Sequence, residues 1–176
     1  MILVFRNIEN VKPPYLPPDA MRRYPYDGMT DYVIIVYQAW LVIDSPGYYN
    51  ISEDILLSNY INGILINSDD VIIDGLGHTI ESNSTYGKSA VYVNAHKNIT
   101  IKNLTIVGWT YGIRIINSSN VVIVDNTIRD SIEGIKLRVS NNITLIDNTF
   151  IGCSVSIENS FNNNLINNSV DGFPSV

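Results

Sequence analysis

The 176-residue chain is short of charge, of cysteine and of any long apolar run. Charged residues make up 16 % of it, against about a quarter in an ordinary domain. Eleven Lys+Arg face 17 Asp+Glu, a formal charge of −6 with no basic run, which excludes a phosphate-tracking nucleic-acid surface. A single cysteine, Cys153, excludes a disulfide scaffold and a multi-cysteine zinc site. No apolar stretch approaches the ~18 residues of a membrane span. Met1–Phe5 is too short for a secretory apolar region, Glu9 and Lys12 follow closely, and no small-residue cleavage site appears. No signal peptide is therefore expected.

What the chain has in excess is Asn, roughly one residue in eight, and Ile, about one in six. Residues 11–28 are rich in Pro and Tyr (Pro13, Pro14, Pro17, Pro18, Tyr24, Pro25, Tyr26), which disfavours helix and favours extended backbone. Tyr32–Tyr37 and Trp40–Ile43 read as strands, β-branched and aromatic. Residues 1–45 are thus expected to form an extended arm with capping strands, and 46–176 the main domain.

That domain is a repeat. Val71-Ile72-Ile73-Asp74-Gly75, Ile99-Thr100-Ile101-Lys102-Asn103, Val121-Val122-Ile123-Val124-Asp125, Ile143-Thr144-Leu145-Ile146-Asp147 and Leu165-Ile166-Asn167 align. The steps from Ile101 to Ile123 and from Ile123 to Leu145 are equal, and the step on to Leu165 is slightly shorter. Ile73 to Ile101 is longer because of the Ser82–Lys88 loop and a longer Gly75–His78 turn. Apolar residues alternate within each window, the period of a strand. A leucine-rich repeat has a similar period but needs one strand and a helical return leg. Here each unit carries two alternating pairs and a third apolar point between Asn, Ser, Asp and Gly turns. The expected fold is all-β: a right-handed, single-stranded parallel β-helix of about five coils, each of three short strands. Ile fills inward columns, one of them Ile73, Ile101, Ile123, Leu145 and Leu165, another Ile80, Ile106, Ile128, Phe150 and Val170. Asn builds the corners, where left-handed backbone is needed. Asn126, Asn148 and Asn168 are expected to stack there as a structural ladder.

Val71–Ile80, Asn98–Ile106 and the lead-in Ser45-Pro46-Gly47-Tyr48-Tyr49-Asn50-Ile51-Ser52-Glu53-Asp54-Ile55 resemble the opening coils of NosD-type β-helix proteins. Their parallel β-helix repeats are also known as the carbohydrate-binding and sugar-hydrolysis domain. The resemblance covers residues 45–176 and implies the fold more strongly than any activity. It also implies an extracellular or cell-surface setting, since such repeats are frequent in archaeal surface polypeptides. In the family the sequence around Asn167–Pro174 usually continues into further coils, so the usual C-terminal part is expected to be absent. The C-terminal coil would then present an open end.

Few residues are left over for chemistry. Tyr92, Arg114 and Lys136 follow one another in an outward column, about 4.8 Å apart, and could hold a uronate carboxylate. Tyr86, Trp109 and Tyr111 are expected near them; Tyr and Trp suit sugar faces, while packing is the alternative, with Trp109 and Tyr111 plugging the first loop or meeting the N-terminal arm. Val122, Val124, Ile146 and Ile166 form an outward apolar strip, the mark of an interface. Homo-oligomer or larger-assembly contacts through that strip or the open end are expected. Asp125 and Asp147 stack at a corner, where a Ca²⁺ site or a glycosidase pair is conceivable but corner donors satisfy them more simply. The family name carries copper, yet His78, His96 and Cys153 fall in different turns and Met1, Met21 and Met29 lie outside the coils. No metal, cofactor or catalytic residue is therefore expected. The sequence favours a non-catalytic structural or adhesive module, with a carbohydrate-binding module next and a polysaccharide lyase, hydrolase or epimerase last.

Overall fold

The computed structural model describes residues 2–5, 21–23, 32–35, 41–57, 62–82 and 88–172. Three N-terminal strands, β1 (Ile2–Phe5), β2 (Met21–Arg23) and β3 (Tyr32–Ile35), form an antiparallel sheet with β3 in the middle. Six turns follow, each with three strands. The first comprises β4 (Leu41–Ile43), β5 (Gly47–Asn50) and β6 (Ile55–Leu57), and the second β7 (Ile64–Ile66), β8 (Val71–Asp74) and β9 (Thr79–Ser82). The third has β10 (Ser89–Asn94), β11 (Lys97–Lys102) and β12 (Thr105–Val107). The fourth has β13 (Tyr111–Ile116), β14 (Ser119–Val124) and β15 (Thr127–Arg129). The fifth has β16 (Glu133–Arg138), β17 (Asn141–Ile146) and β18 (Thr149–Ile151), and the sixth β19 (Ser154–Glu158), β20 (Asn164–Ile166) and β21 (Ser169–Asp171). The described residues contain no helix.

Corresponding strands stack in parallel into three six-stranded sheets. Sheet 1 begins with β4, sheet 2 with β5 and sheet 3 with β6. This is the parallel β-helix expected, but it has six turns. Leu41–Ile43, which sequence assigned to the arm, pairs in parallel with Ile64–Ile66, so the coil starts at Leu41 and not at residue 46. The irregular spacing before Ile101 hid that turn from the repeat alignment.

Because strand residues alternate between faces, every sheet sends inward columns into the core. Sheet 1 stacks Ile43, Ile66, Val93, Ile115 and Leu137; sheet 2 stacks Tyr49, Ile73, Ile101, Ile123 and Leu145; sheet 3 stacks Ile55, Ile80, Ile106, Ile128 and Phe150. All are buried, and each Ile removed from water is worth about 2 kcal/mol. The next residues of the columns, Ile157, Leu165 and Val170, are 41, 52 and 52 % exposed.

Candidate functional site

The corners account for most of the polar side chains. Asn126 Nδ2 donates to Asn148 Oδ1 and Asn148 Nδ2 to Asn168 Oδ1, both at 3.0 Å. The same oxygens accept the Asn126 and Asn148 backbone N–H groups, and the amides also donate to the inner carbonyls of Ile101 and Ile123. Buried corner backbone is satisfied in this way from turn to turn. A second ladder runs between sheets 1 and 2: the N–H groups of Ser118 and Ser140 donate to the hydroxyls of Ser140 and Ser160. Sequence reasoning missed it, although Ser118, Ser140 and Ser160 recur at the same steps as Asn126, Asn148 and Asn168.

The outer face of sheet 1 gathers four of the six residues proposed for sugar recognition. Tyr92, Arg114 and Lys136 are directly paired on β10, β13 and β16. The Arg114 guanidinium carbon lies 4.8 Å from the Tyr111 ring centroid and 5.6 Å from that of Tyr92, the geometry of a cation held between two π faces. Lys136 Nζ contacts Glu158 Oε1 at 2.5 Å and Ser156 Oγ at 3.2 Å, and lies 3.4 Å from Glu133 Oε2. The hydrogen bond to Glu158 holds the Lys136 ammonium above its ordinary pKa. Arg114 makes no ion pair with any described residue, and its buried Nε has no hydrogen-bond partner.

Trp109 is a correction. Its side chain is buried among the core residues and its Nε1 donates to Ile80 O at 3.1 Å, so it packs the coil and presents no sugar-stacking face. Ser131 and Cys153 follow Trp109 at equal one-repeat intervals, which makes Trp109 the early member of an inner corner series. Cys153 is buried too, with Sγ 3.3 Å from Ile128 O, and burial raises its thiol pKa. Tyr86 lies outside the described residues.

On sheet 2, Val124, Ile146 and Ile166 are consecutive partners in one outward column and Val122 stands in the next. The first two are half-buried and Ile166 is 45 % exposed. Toward the other end of that column Asp74 is almost fully buried. Its carboxylate accepts from Tyr48 Oη at 2.5 Å, Asn103 Nδ2 at 2.9 Å and the Leu76 N–H at 3.1 Å, and pairs with Lys102 Nζ at 2.9 Å. Burial pushes the Asp74 carboxyl up, but the hydrogen bonds from Tyr48, Asn103, Lys102 and Leu76 outweigh it and hold its pKa far below the carboxylate range. The Asp74 carboxylate is thus satisfied within the protein. Beside it, Leu76, Gly77, Asn103, Leu104, Thr105, Asp125 and Thr127 line a cavity of about 320 Å³.

Two histidines are tied to aspartates one turn earlier. His78 Nδ1 is 3.3 Å from Asp54 and His96 Nδ1 is 3.1 Å from Asp69. The same carboxylates accept the N–H groups of Thr79 and Lys97, which with the histidines lower their pKa values.

No curated protein matches the chain. Among solved structures, a candidate glycosyl hydrolase from Parabacteroides merdae is 10 % identical, over 74 % of this chain and 82 % of its own, with a TM-score of 0.43. The family model described as periplasmic copper-binding protein (NosD) matches residues 48–173. The described side chains do not fit copper. His78 and His96 occupy different corners on separate aspartates, Cys153 is buried against a carbonyl, and no three His, Cys, Asp or Glu converge among the described residues. The match is therefore one of architecture: it runs from the second strand of the first turn through the last strand of the sixth, and the chain belongs to the NosD family.

Proposed function

We propose that this chain is a non-catalytic recognition module that binds a polysaccharide along the outer face of sheet 1, in an extracellular or cell-surface setting. The observation that carries the reading is the stacked set Tyr92, Tyr111, Arg114 and Lys136, held on three adjoining rigid strands. Two half-buried tyrosines and a fixed cation supply the apolar face and polar edge by which sugars are held. Glu133 and Glu158, the carboxylates beside them, are both engaged with Lys136, which favours binding over acid–base work. A glycan array followed by calorimetry on the hits tests this. Binding without release of reducing ends or unsaturated products is expected. Turnover of a bound polymer would replace the reading with catalysis, and silence across the array would remove it.

A second reading rests on the apolar column of sheet 2. Val124, Ile146 and Ile166, with Val122 beside them, offer a strip suited to another subunit. Solution mass measured for wild type and for a Val124→Lys/Ile146→Lys double variant decides it. An assembly that the variant breaks supports the contact, and an unchanged mass removes it.

A further inference from the structure

Three cations are half-buried among the described residues: Lys102, Arg114 and Lys136. Lys102 is paired with Asp74, and Lys136 with Glu133 and Glu158. Among the described residues Arg114 has no carboxylate, carbonyl or hydroxyl partner, only the faces of Tyr92 and Tyr111. In a chain with 17 acidic residues against 11 basic ones, a half-buried guanidinium left without an acceptor is conspicuous. Partial burial strips water from it, and an unmade hydrogen bond of a charged group is costly. The rings hold its plane while leaving its terminal Nη groups without a protein acceptor. An arginine fork of this kind matches a carboxylate in a bidentate way. The surrounding face tilts the same way, since Arg114, Lys136 and Arg138 stand against Glu133 and Glu158.

We propose that Arg114 is the anion-reading residue of this face and that the saccharide it takes carries carboxylates, a uronic-acid polymer. In this arrangement the carboxylate of one sugar unit engages the Arg114 Nη groups, while Tyr111 and Tyr92 fix the guanidinium from its two sides. This rests on sheet 1 being the saccharide-binding face and adds the chemical class of the ligand. A neutral polymer would gain little from a cation kept free of every nearby carboxylate.

The test is calorimetric titration of the full chain with three probes of equal length: an oligogalacturonate, its methyl ester and a neutral oligosaccharide. The acid should bind at least about tenfold tighter than its ester, the size of one charge-assisted hydrogen-bond pair. Arg114→Met should erase that preference, and Arg114→Lys should keep the charge but lose most of the bidentate gain. Acid and ester bound equally by wild type would overturn the proposal while leaving a saccharide-binding face intact. A wild-type preference for acid that survives Arg114→Met would also overturn it, by moving the anion site elsewhere. No binding of any probe would sink this inference and the reading beneath it together. The acid-to-ester ratio of wild type needs no variant to fold.

Discussion

Val139 occupies a corner position that asparagine holds in the turns on either side. Ala95, Asn117, Val139 and Asn159 follow one another at one-repeat intervals, and all have left-handed backbone, with φ of 62°, 49°, 51° and 47°. A β-branched side chain at positive φ crowds the following carbonyl and costs about 1–2 kcal/mol. Asn tolerates that conformation, and in the turn before, Asn117 Nδ2 also reaches Asn94 Oδ1 at 3.3 Å. Val139 is 47 % exposed, so replacing its methyls forfeits only about 0.7 kcal/mol of burial. Relief of strain exceeds that loss, and the new amide has Asn117 Oδ1 one turn earlier to bond, as Asn142 bonds Asn120 and Asn120 bonds Asn98, for up to about 1 kcal/mol. Val139→Asn should therefore stabilise the chain by about 1 kcal/mol, a rise of roughly 2–4 °C in Tm for a domain of this size. The reverse change, Asn117→Val, should cost about 2 kcal/mol, since strain appears and the bond to Asn94 goes. Urea unfolding with matched slopes and thermal melts read both. If Val139→Asn destabilises and Asn117→Val is neutral, backbone strain is not what assigns Asn to these corners.

Asn148→Ala should cost at least about 3 kcal/mol, because it strands the buried Asn126 N–H and removes the bonds of the Asn148 amide to Ile123 O and Asn168 Oδ1. Asn168→Ala, at a half-buried position in the last turn, should cost distinctly less in the same urea titration, and equal losses would argue against the ladder as a buried network. Asp74 should shape the acid limb of stability. A carboxyl depressed in the folded state stabilises fully above its unfolded pKa near 3.8 and loses that contribution as pH falls below it. The urea midpoint should accordingly fall more steeply below pH about 4 in wild type than in Asp74→Asn, which should itself be weaker by about 3 kcal/mol at neutral pH; parallel acid limbs would refute this assignment.

The inward columns and the corners were legible because both recur every turn: the same pair of steps carries Ile123 to Leu145 to Leu165 and Asn126 to Asn148 to Asn168. The first turn was not, because Leu41, Gly47 and Ile55 precede the regular steps and only the pairing of Leu41 with Ile64 declares it. Trp109 shows a different failure. Read by residue type it was open between a sugar-binding surface and packing, and its register with Ser131 and Cys153 places it inside.

Outward positions were the hardest to judge, since a repeat tells which way a side chain leaves the backbone but not what folds over it. The column Asn50, Asp74, Lys102, Val124, Ile146 and Ile166 makes the point. Asp74 points outward and is nevertheless buried, because Tyr48 from the turn before and Lys102 from the turn after close over its carboxylate. Arg114 points outward on sheet 1 against the rings of Tyr92 and Tyr111, and among the described residues its hydrogen-bonding edge meets no acceptor. Both are ionised groups drawn partly out of water, and the cost of that desolvation is met within the protein for Asp74 but not for Arg114. The period alone cannot distinguish the two, because it fixes spacing and direction while the difference lies in which side chains the adjoining turns happen to supply. On that difference rests the proposal that Arg114 reads an anion, while Asp74 is tied into the coil by its own neighbours.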